Sequence, residues 1–140
     1  MRPLTHRIYL LGQALSSSAE KVLRELGLGF SDYLALHGLE GRQGCSQAEL
    51  ASFVGITDAG ISRIVTRLAA RGLLETAIDP SNRRRTLLAL TQNGAEVAQK
   101  AGSLLEERFG RSAERAVTRE DLQTFERVLD AILAIMEQKK

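Results

Sequence analysis

Gln47-Ala-Glu-Leu-Ala-Ser-Phe-Val-Gly55 and Ile56-Thr-Asp-Ala-Gly-Ile-Ser-Arg-Ile-Val-Thr-Arg-Leu-Ala-Ala-Arg-Gly72 lead directly into Leu73-Leu-Glu-Thr-Ala-Ile-Asp-Pro-Ser-Asn-Arg-Arg-Arg-Thr-Leu-Leu-Ala-Leu90. The first two segments are amphipathic and meet at a glycine. The third is a hairpin pattern with three consecutive arginines at its tip. A helix, a tight turn, a second helix and a basic two-stranded wing form the order of a winged helix-turn-helix, a module that grips duplex DNA.

Within this stretch, Ser46-Gln-Ala-Glu49 matches a capping box for the first helix, whose inward face is expected to be Leu50, Phe53 and Val54. Gly55 permits the turn, Thr57 is a good N-cap for the next helix, and Asp58 complements its positive end. In that helix Ile61, Ile64, Val65 and Leu68 recur at i, i+3, i+4 and i+7 and are expected to pack inward. Ala59, Ser62, Arg63 and Thr66 then fall on the opposite side, flanked by Arg67. Small and hydroxyl residues permit close approach to a major groove, where arginine can fork onto guanine. Gly60 is out of place in a helix interior, at about 1 kcal/mol against alanine. Either the first turn is loosened or the backbone there lies unusually near another surface.

Leu73–Ile78 and Thr86–Leu90 are expected strands, joined by a polar turn containing Pro80 and Asn82. Arg83, Arg84 and Arg85 sit where the turn meets the returning strand, and Asp79 is placed to orient one guanidinium by a two-pronged pair. Arginine on a protruding loop can enter a narrow minor groove, where the negative potential is strongest. The candidate DNA-binding set is therefore Ser46, Thr57, Ala59, Ser62, Arg63, Thr66, Arg67, Arg83, Arg84 and Arg85, with Asp79 orienting the wing.

Charge distribution agrees. Net charge is only +2, yet Ser62–Arg85 holds six arginines against Glu75 and Asp79, whereas Arg111–Lys140 holds six basic and six acidic residues. Positive charge focused on one motif favours a polyanionic partner. At 140 residues, with 44% hydrophobic and 26% charged residues, the chain suits one soluble helix-rich domain with a real core. No apolar run approaches a bilayer span, and the N-terminus does not read as a signal peptide, so a cytoplasmic protein is expected.

Around the central motif, Leu4, Ile8, Leu11, Leu15, Ala19, Val22 and Leu26 form one helical stripe that Gly27 and Gly29 should end. Ser31 is placed to cap a second helix running to Glu40, and Cys45 to add a brief strand beside the hairpin. Thr91 should cap a fifth helix with Val97, Ala101, Leu104, Leu105 and Phe109 on its apolar side. Thr118-Arg-Glu-Asp121 is a second capping-box candidate, followed by a near-heptad seam of Leu122, Phe125, Leu129, Ile132 and Met136. The terminal helices carry more apolar stripe than a small winged domain covers, which predicts a homodimer. Two-fold symmetry would set two reading helices about one DNA turn apart, matching a palindromic operator. The fold class is thus mainly α with a small β-hairpin (α+β): a winged helix-turn-helix over residues 31–90, with helical dimerisation regions at 1–30 and 91–140.

These residues resemble the MarR family of bacterial transcriptional regulators over nearly the whole length. The closest resemblance lies in Asp79-Pro-Ser-Asn-Arg-Arg-Arg-Thr-Leu-Leu-Ala-Leu-Thr-Gln-Asn-Gly94: an aspartate, an arginine pair shortly after, and a leucine-threonine-x-x-glycine ending. Val54-Gly-Ile-Thr57, Ser62-Arg63 and Leu68-Ala-Ala-Arg-Gly-Leu-Leu74 resemble the family's recognition-helix pattern. The resemblance implies a triangular dimer with interlocked terminal helices and Arg83 or Arg84 in the minor groove; a homodimeric repressor, less often an activator, is the expected function. Asn82 stands where an acid usually precedes the arginine pair, and Arg85 where a small or apolar residue is common; both departures should raise non-specific affinity for phosphates. Family members often respond to a small, commonly aromatic, effector, for which Tyr9, Tyr33 and His37 are candidates, although such residues are more often core. Others sense oxidants through a cysteine in the first helix. The single cysteine here, Cys45, is not in that helix and is read as a buried apolar residue.

Two other classes fit the residues less well. An enzyme needs a nucleophile-base or acid-base pair in a cleft, and no such spacing or phosphate loop occurs, so no catalytic residue or cofactor is assigned. His6, His37 and nearby acids lack the spacing of a metal site. A winged-helix module that binds protein and not DNA is the alternative, but its wing should lack a basic tip.

Overall fold

The computed structural model describes residues 1–42 and 44–138. Its elements are α1 (Leu4–Leu23), a 3-10 turn (Arg24–Leu26), α2 (Phe30–Leu39), β1 (Cys45–Ser46), α3 (Gln47–Val54), α4 (Asp58–Ala70), β2 (Leu74–Asp79), β3 (Asn82–Leu90), α5 (Gln92–Ala116) and α6 (Arg119–Glu137). The chain divides into two compact units, Met1–Leu105 and a second beginning at Glu106.

In the first unit, the sheet is antiparallel in the order β1-β3-β2. Cys45 pairs with Leu88, so the brief strand expected beside the hairpin is present. The core is assembled from one face of each amphipathic element: Ala19 and Leu23 of α1, Ala35, Leu36 and Leu39 of α2, Leu50 of α3, Ile61, Ile64, Val65 and Leu68 of α4, and Leu88 of β3. All four α4 residues expected to face inward do so. On α5 the buried set is Gly94, Ala98, Ala101 and Leu105, while Val97, Leu104 and Phe109 are only half-buried.

Local caps fix the boundaries. Gly27 adopts φ +66° and closes the 3-10 turn with an N–H bond to the Arg24 carbonyl. Ser31 does not cap α2. Gly29 occupies that place, and its N–H donates to Asp32 Oδ2 at 2.8 Å. Gly29 has no side chain to return the bond, so carboxylates serve this helix start: Asp32 for the Gly29 N–H and Glu20 for the Phe30 N–H.

Thr91 caps α5: the Gly94 N–H donates to Thr91 Oγ1 at 2.9 Å, and the Thr91 hydroxyl donates to the Gly72 carbonyl at 2.6 Å. Gly94 is required by close approach, since a Cβ there would lie 1.7 Å from the Leu73 carbonyl oxygen. This contact explains the threonine-x-x-glycine ending of the hairpin: hydroxyl and missing side chain together seat α5 against the start of β2.

In the second unit, Thr118 and Asp121 form both halves of the expected capping box, with N–H bonds of 3.1 and 3.0 Å. No residue of α6 is buried. Its seam residues are all at least partly exposed, including Phe125 at 49% and Met136 at 64%. Among the described residues, no helix is long and apolar enough to cross a membrane.

Candidate nucleic-acid interface

The helix-turn-helix is built by three short-range devices. Ser46 Oγ accepts the Glu49 N–H at 3.1 Å, which starts α3. Only this half of the expected capping box forms, because the Glu49 carboxylate pairs instead with Arg85 of β3. Gly55 takes φ +81° and donates to the Ala51 carbonyl at 2.8 Å, turning the chain where a side chain would be strained. Thr57 Oγ1 then accepts the Gly60 N–H at 3.1 Å, a cap worth about 1 kcal/mol. That cap also accounts for Gly60: an added Cβ would sit 3.2 Å from the Thr57 hydroxyl.

Phe53 departs from expectation. It is 45% exposed and tilts against His37, with ring centroids 5.9 Å apart, beneath the Arg42 guanidinium. Ala51, not Phe53, joins Leu50 in the core.

With its apolar face buried, α4 leaves Ala59, Ser62, Arg63, Thr66 and Arg67 exposed, as its periodicity requires. Their side chains are not equally available. Thr66 donates its hydroxyl to the Ser62 carbonyl at 2.9 Å, and Arg63 Nε leans on the Ala59 carbonyl at 3.4 Å, leaving the rest of its guanidinium outward. Arg67, expected among the groove-facing residues, instead ion-pairs with the buried Asp32.

The wing differs from expectation in its geometry. The ladder runs regularly to Ile78 opposite Thr86 and resumes with Asp79 opposite Asn82. Arg83, Arg84 and Arg85 therefore have no residue across from them and form a three-residue bulge in β3, not part of the turn. The extra residues of a bulge are left unpaired in the ladder, and all three here are exposed. Asn82 Oδ1 accepts the Arg84 N–H at 3.1 Å, so the amide supplies the acceptor at the position where an acid was expected.

Asp79 does not make a two-pronged arginine pair. Its Oδ1 accepts the Ser81 N–H at 2.9 Å and the Ser81 hydroxyl at 2.7 Å, fixing the Pro80-Ser81 turn. Arg85 Nε stands 3.9 Å from Asp79 Oδ2. The two Ser81 bonds, with help from Arg85, hold the Asp79 carboxyl below the usual carboxylate range. Asp79 thus orients the turn first and Arg85 second. Held by Glu49 and near Asp79, Arg85 is not the free phosphate ligand its sequence position suggested. Arg83 and Arg84 make no ion pair among the described residues. Arg84 and Arg85, with Ser46, Gln47, Ala48, Asn82 and Thr86, line an open depression of about 450 Å³ between the start of α3 and the wing.

The effector candidates separate. Tyr33 and His37 stack on α2, 5.8 Å between ring centroids, in a row with Phe30 and Phe53. Tyr9 is 61% exposed on α1, bonded to Gln13, and lines a different shallow depression with Ile8, Gly12 and Ser16. Cys45 is fully buried, with Nη1 of Arg42, three residues earlier in the chain, 3.8 Å from its sulfur. Among the described residues no cluster of three or more His, Cys, Asp or Glu is placed to hold a metal ion.

Sequence reasoning gave Asp32 and Arg71 no role and read Glu49 only as half of a capping box, whereas Asp32 pairs with Arg67, Glu49 with Arg85, and Arg71 bonds the Leu26 and Gly27 carbonyls. The one available signal for Asp32 was a lone carboxylate in an otherwise apolar segment.

Comparison with known proteins agrees with this architecture. A family model described as MarR family matches residues 26–85. The HTH-type transcriptional repressor Rv2887 of Mycobacterium tuberculosis is 25% identical over 130 residues, covering 93% of each chain. The transcriptional repressor CouR bound to a 23-mer DNA duplex superposes with a TM-score of 0.86 at 21% identity, covering 94% of this chain and 92% of that one. A cysteine-to-serine mutant of Escherichia coli MarR complexed with operator DNA gives 0.83 at 21% identity, covering 94% of both chains. The two solved structures share the winged-helix fold. The matching model spans the helix-turn-helix and most of the wing, and over most of its length the chain is similar to a named transcriptional repressor and to the multiple antibiotic resistance protein MarR of Escherichia coli.

Proposed function

We propose that the protein is a sequence-specific, double-stranded-DNA-binding repressor that acts as a homodimer on a palindromic operator. The observation that carries the proposal is the wing bulge, which presents Arg83 and Arg84 outside the ladder with no carboxylate pairing them among the described residues. Arginine left unpaired on a protrusion is what a phosphate backbone or narrow minor groove requires. The exposed Ala59, Ser62, Arg63 and Thr66 of α4 supply a low-profile surface for the major groove, with the exposed Thr57 at the helix start; Ser46, expected among the DNA-binding residues, is buried as the cap of α3 and is left out of this surface. Relatives that are themselves named transcriptional repressors, and neighbours solved with DNA, support the same assignment. A basic wing tip also disfavours a purely protein-binding module.

The dimer is supported by unburied apolar surface. On α1, Leu4, Ile8, Leu11 and Leu15 are 40–64% exposed, and on α6 so are Phe125, Val128, Ile132, Leu133, Ile135 and Met136 at 39–64%. Apolar stripes of this extent call for a partner, and a second copy of the chain is the self-complementary one. The stacked Phe30, Tyr33 and His37 row supports control by a small aromatic effector at α2, with Tyr9 outside that row.

The test is selection of bound duplexes from a random pool. The expected product is an inverted repeat with half-sites about one helical turn apart. Enrichment of no sequence, or of single half-sites only, would count against the proposal.

A further inference from the structure

Two arginines of α4 and its C-terminal end make contacts that DNA reading does not explain. Arg67 pairs with Asp32, a carboxylate only 4% exposed that also accepts the Gly29 N–H at the start of α2. One turn later, Arg71 forks onto the end of the 3-10 turn, donating Nη1 to the Gly27 carbonyl at 2.8 Å and Nη2 to the Leu26 carbonyl at 2.9 Å. Those carbonyls are free helix-end acceptors, which a guanidinium satisfies in both hydrogen bonding and charge. The same corner is tied from α1, where Glu20 Oε1 accepts the Phe30 N–H at 2.8 Å.

Four side chains thus converge on the α1–α2 corner: Arg67 belongs to the helix expected to read DNA, and Arg71 is the C-cap that ends it. Apolar packing through Ile61, Ile64, Val65 and Leu68 holds the helix against the core but is non-directional. A bidentate arginine and a buried ion pair are directional, so they fix its axial position and rotation.

We propose that Arg67 and Arg71 are positioning residues that lock the reading helix to the α1–α2 corner, and so set which bases the α4 face can meet, without themselves touching DNA. The inference rests on the DNA-binding reading above. It gives the corner a specific role: any displacement of α1 or of the start of α2 is carried to α4 through these guanidinium groups.

The test uses the full chain and a duplex that the wild-type protein selects from a random pool. Failure of the wild type to select any duplex would remove the DNA-binding reading itself, and is distinguishable from any effect of the variants. Arg67→Ala, Asp32→Asn and the double variant are compared on the selected and a scrambled duplex over a range of salt, with Arg63→Ala as the control for a groove contact. Each single variant is expected to lose about tenfold on the selected duplex, with the double variant no worse, as members of one interaction should behave. Affinity for the scrambled duplex and the salt dependence should stay at wild type, while Arg63→Ala should flatten the dependence by up to about 0.9 log units per decade of salt. Should Asp32→Asn fail to fold, Arg71→Lys carries the same test: it keeps the charge, cannot span both carbonyls, and is expected to lower the selected-to-scrambled ratio about threefold. A flattened salt dependence in Arg67→Ala, or tighter binding by Asp32→Asn, would make Arg67 a DNA contact and overturn the proposal. An unchanged selected-to-scrambled ratio in folded variants would overturn it as well, leaving only a role in stability.

Discussion

The Arg85 guanidinium of β3 is paired with the Glu49 carboxylate of α3, 36 residues earlier in the chain. Glu49 is thereby drawn away from closing its own helix cap, and one of the three wing arginines is neutralised at the edge of the depression lined by Ser46, Gln47 and Ala48. Both partners are about half exposed, so the pair contributes little to stability but sets how many free cations the wing offers. Replacing Glu49 by Gln should free Arg85 and remove a negative charge. Affinity for any duplex is then expected to rise, with a salt dependence steeper by about 0.9 log units per decade. Thermal stability should change by less than about 1 kcal/mol. Fluorescence anisotropy titrations over a salt series check the binding and thermal melts the stability; weaker binding by Glu49→Gln would contradict this role for the pair.

Arg84→Ala and Arg83→Ala should each weaken binding to selected and unrelated duplexes alike, and flatten the salt dependence by about 0.9 log units if each meets one phosphate. The dimer and the melting temperature should not move, because neither guanidinium holds an ion pair within the described residues. Loss of the dimer in either variant would mean that the wing is part of a protein contact.

Gly94→Ala tests the junction of hairpin and α5. A methyl group placed 1.7 Å from the Leu73 carbonyl oxygen cannot be absorbed by rotating a side chain, since the obstacle is backbone. The cost is expected to reach about 3 kcal/mol, read from denaturant unfolding. A change within about 0.5 kcal/mol would show that the α5 start is free to shift.

Acidification should be felt at two carboxylates. Asp79 is held below its ordinary range by the two Ser81 bonds and Asp121 by the Thr118 hydroxyl and N–H. A carboxyl with a lowered folded-state pKa stabilises the fold above its unfolded value and loses that contribution as pH falls through the folded one. Asp79→Asn and Asp121→Asn should therefore be less stable than wild type near neutrality, and the difference should shrink below about pH 4. Equilibrium unfolding across pH gives the comparison, and a difference that grows on acidification would reverse the assignment.

Charge on the α6 seam should disrupt the dimer. Leu129→Glu with Ile132→Glu adds two carboxylates to a helix with no buried residue of its own, so the isolated chain has little reason to unfold. Light scattering is expected to show the mass of one chain at concentrations where the wild type shows two. A persisting dimer would place the interface elsewhere.

Much of the fold could be read from local patterns because its determinants are local. Ile61, Ile64, Val65 and Leu68 are buried as their spacing demands, and Thr57, Thr91 and Thr118 cap the helices they precede. Partners brought from far along the chain were not legible. Arg67 looked like a groove residue because nothing near it in sequence announces Asp32, 35 positions away. Phe53 fell on the inward stripe of α3, yet His37 and Arg42 give it a half-exposed seat that periodicity does not describe. The wing arginines were recognised by composition, but their placement depends on a three-residue offset between two strands. Pairing register is a property of both strands together, and Pro80 and Asn82 mark only that a turn exists.

That offset leaves strand pairing intact on either side of Arg83, Arg84 and Arg85, with Ile78 matched to Thr86 and Asp79 to Asn82. The Arg83 and Arg84 side chains, which hold no ion pair among the described residues, can be exchanged without slipping the ladder. Arg83 and Arg84 are in effect an interchangeable bit on a fixed shank, so under the proposed function a descendant of this protein could acquire a new DNA preference at these two codons while its scaffold stayed unaltered.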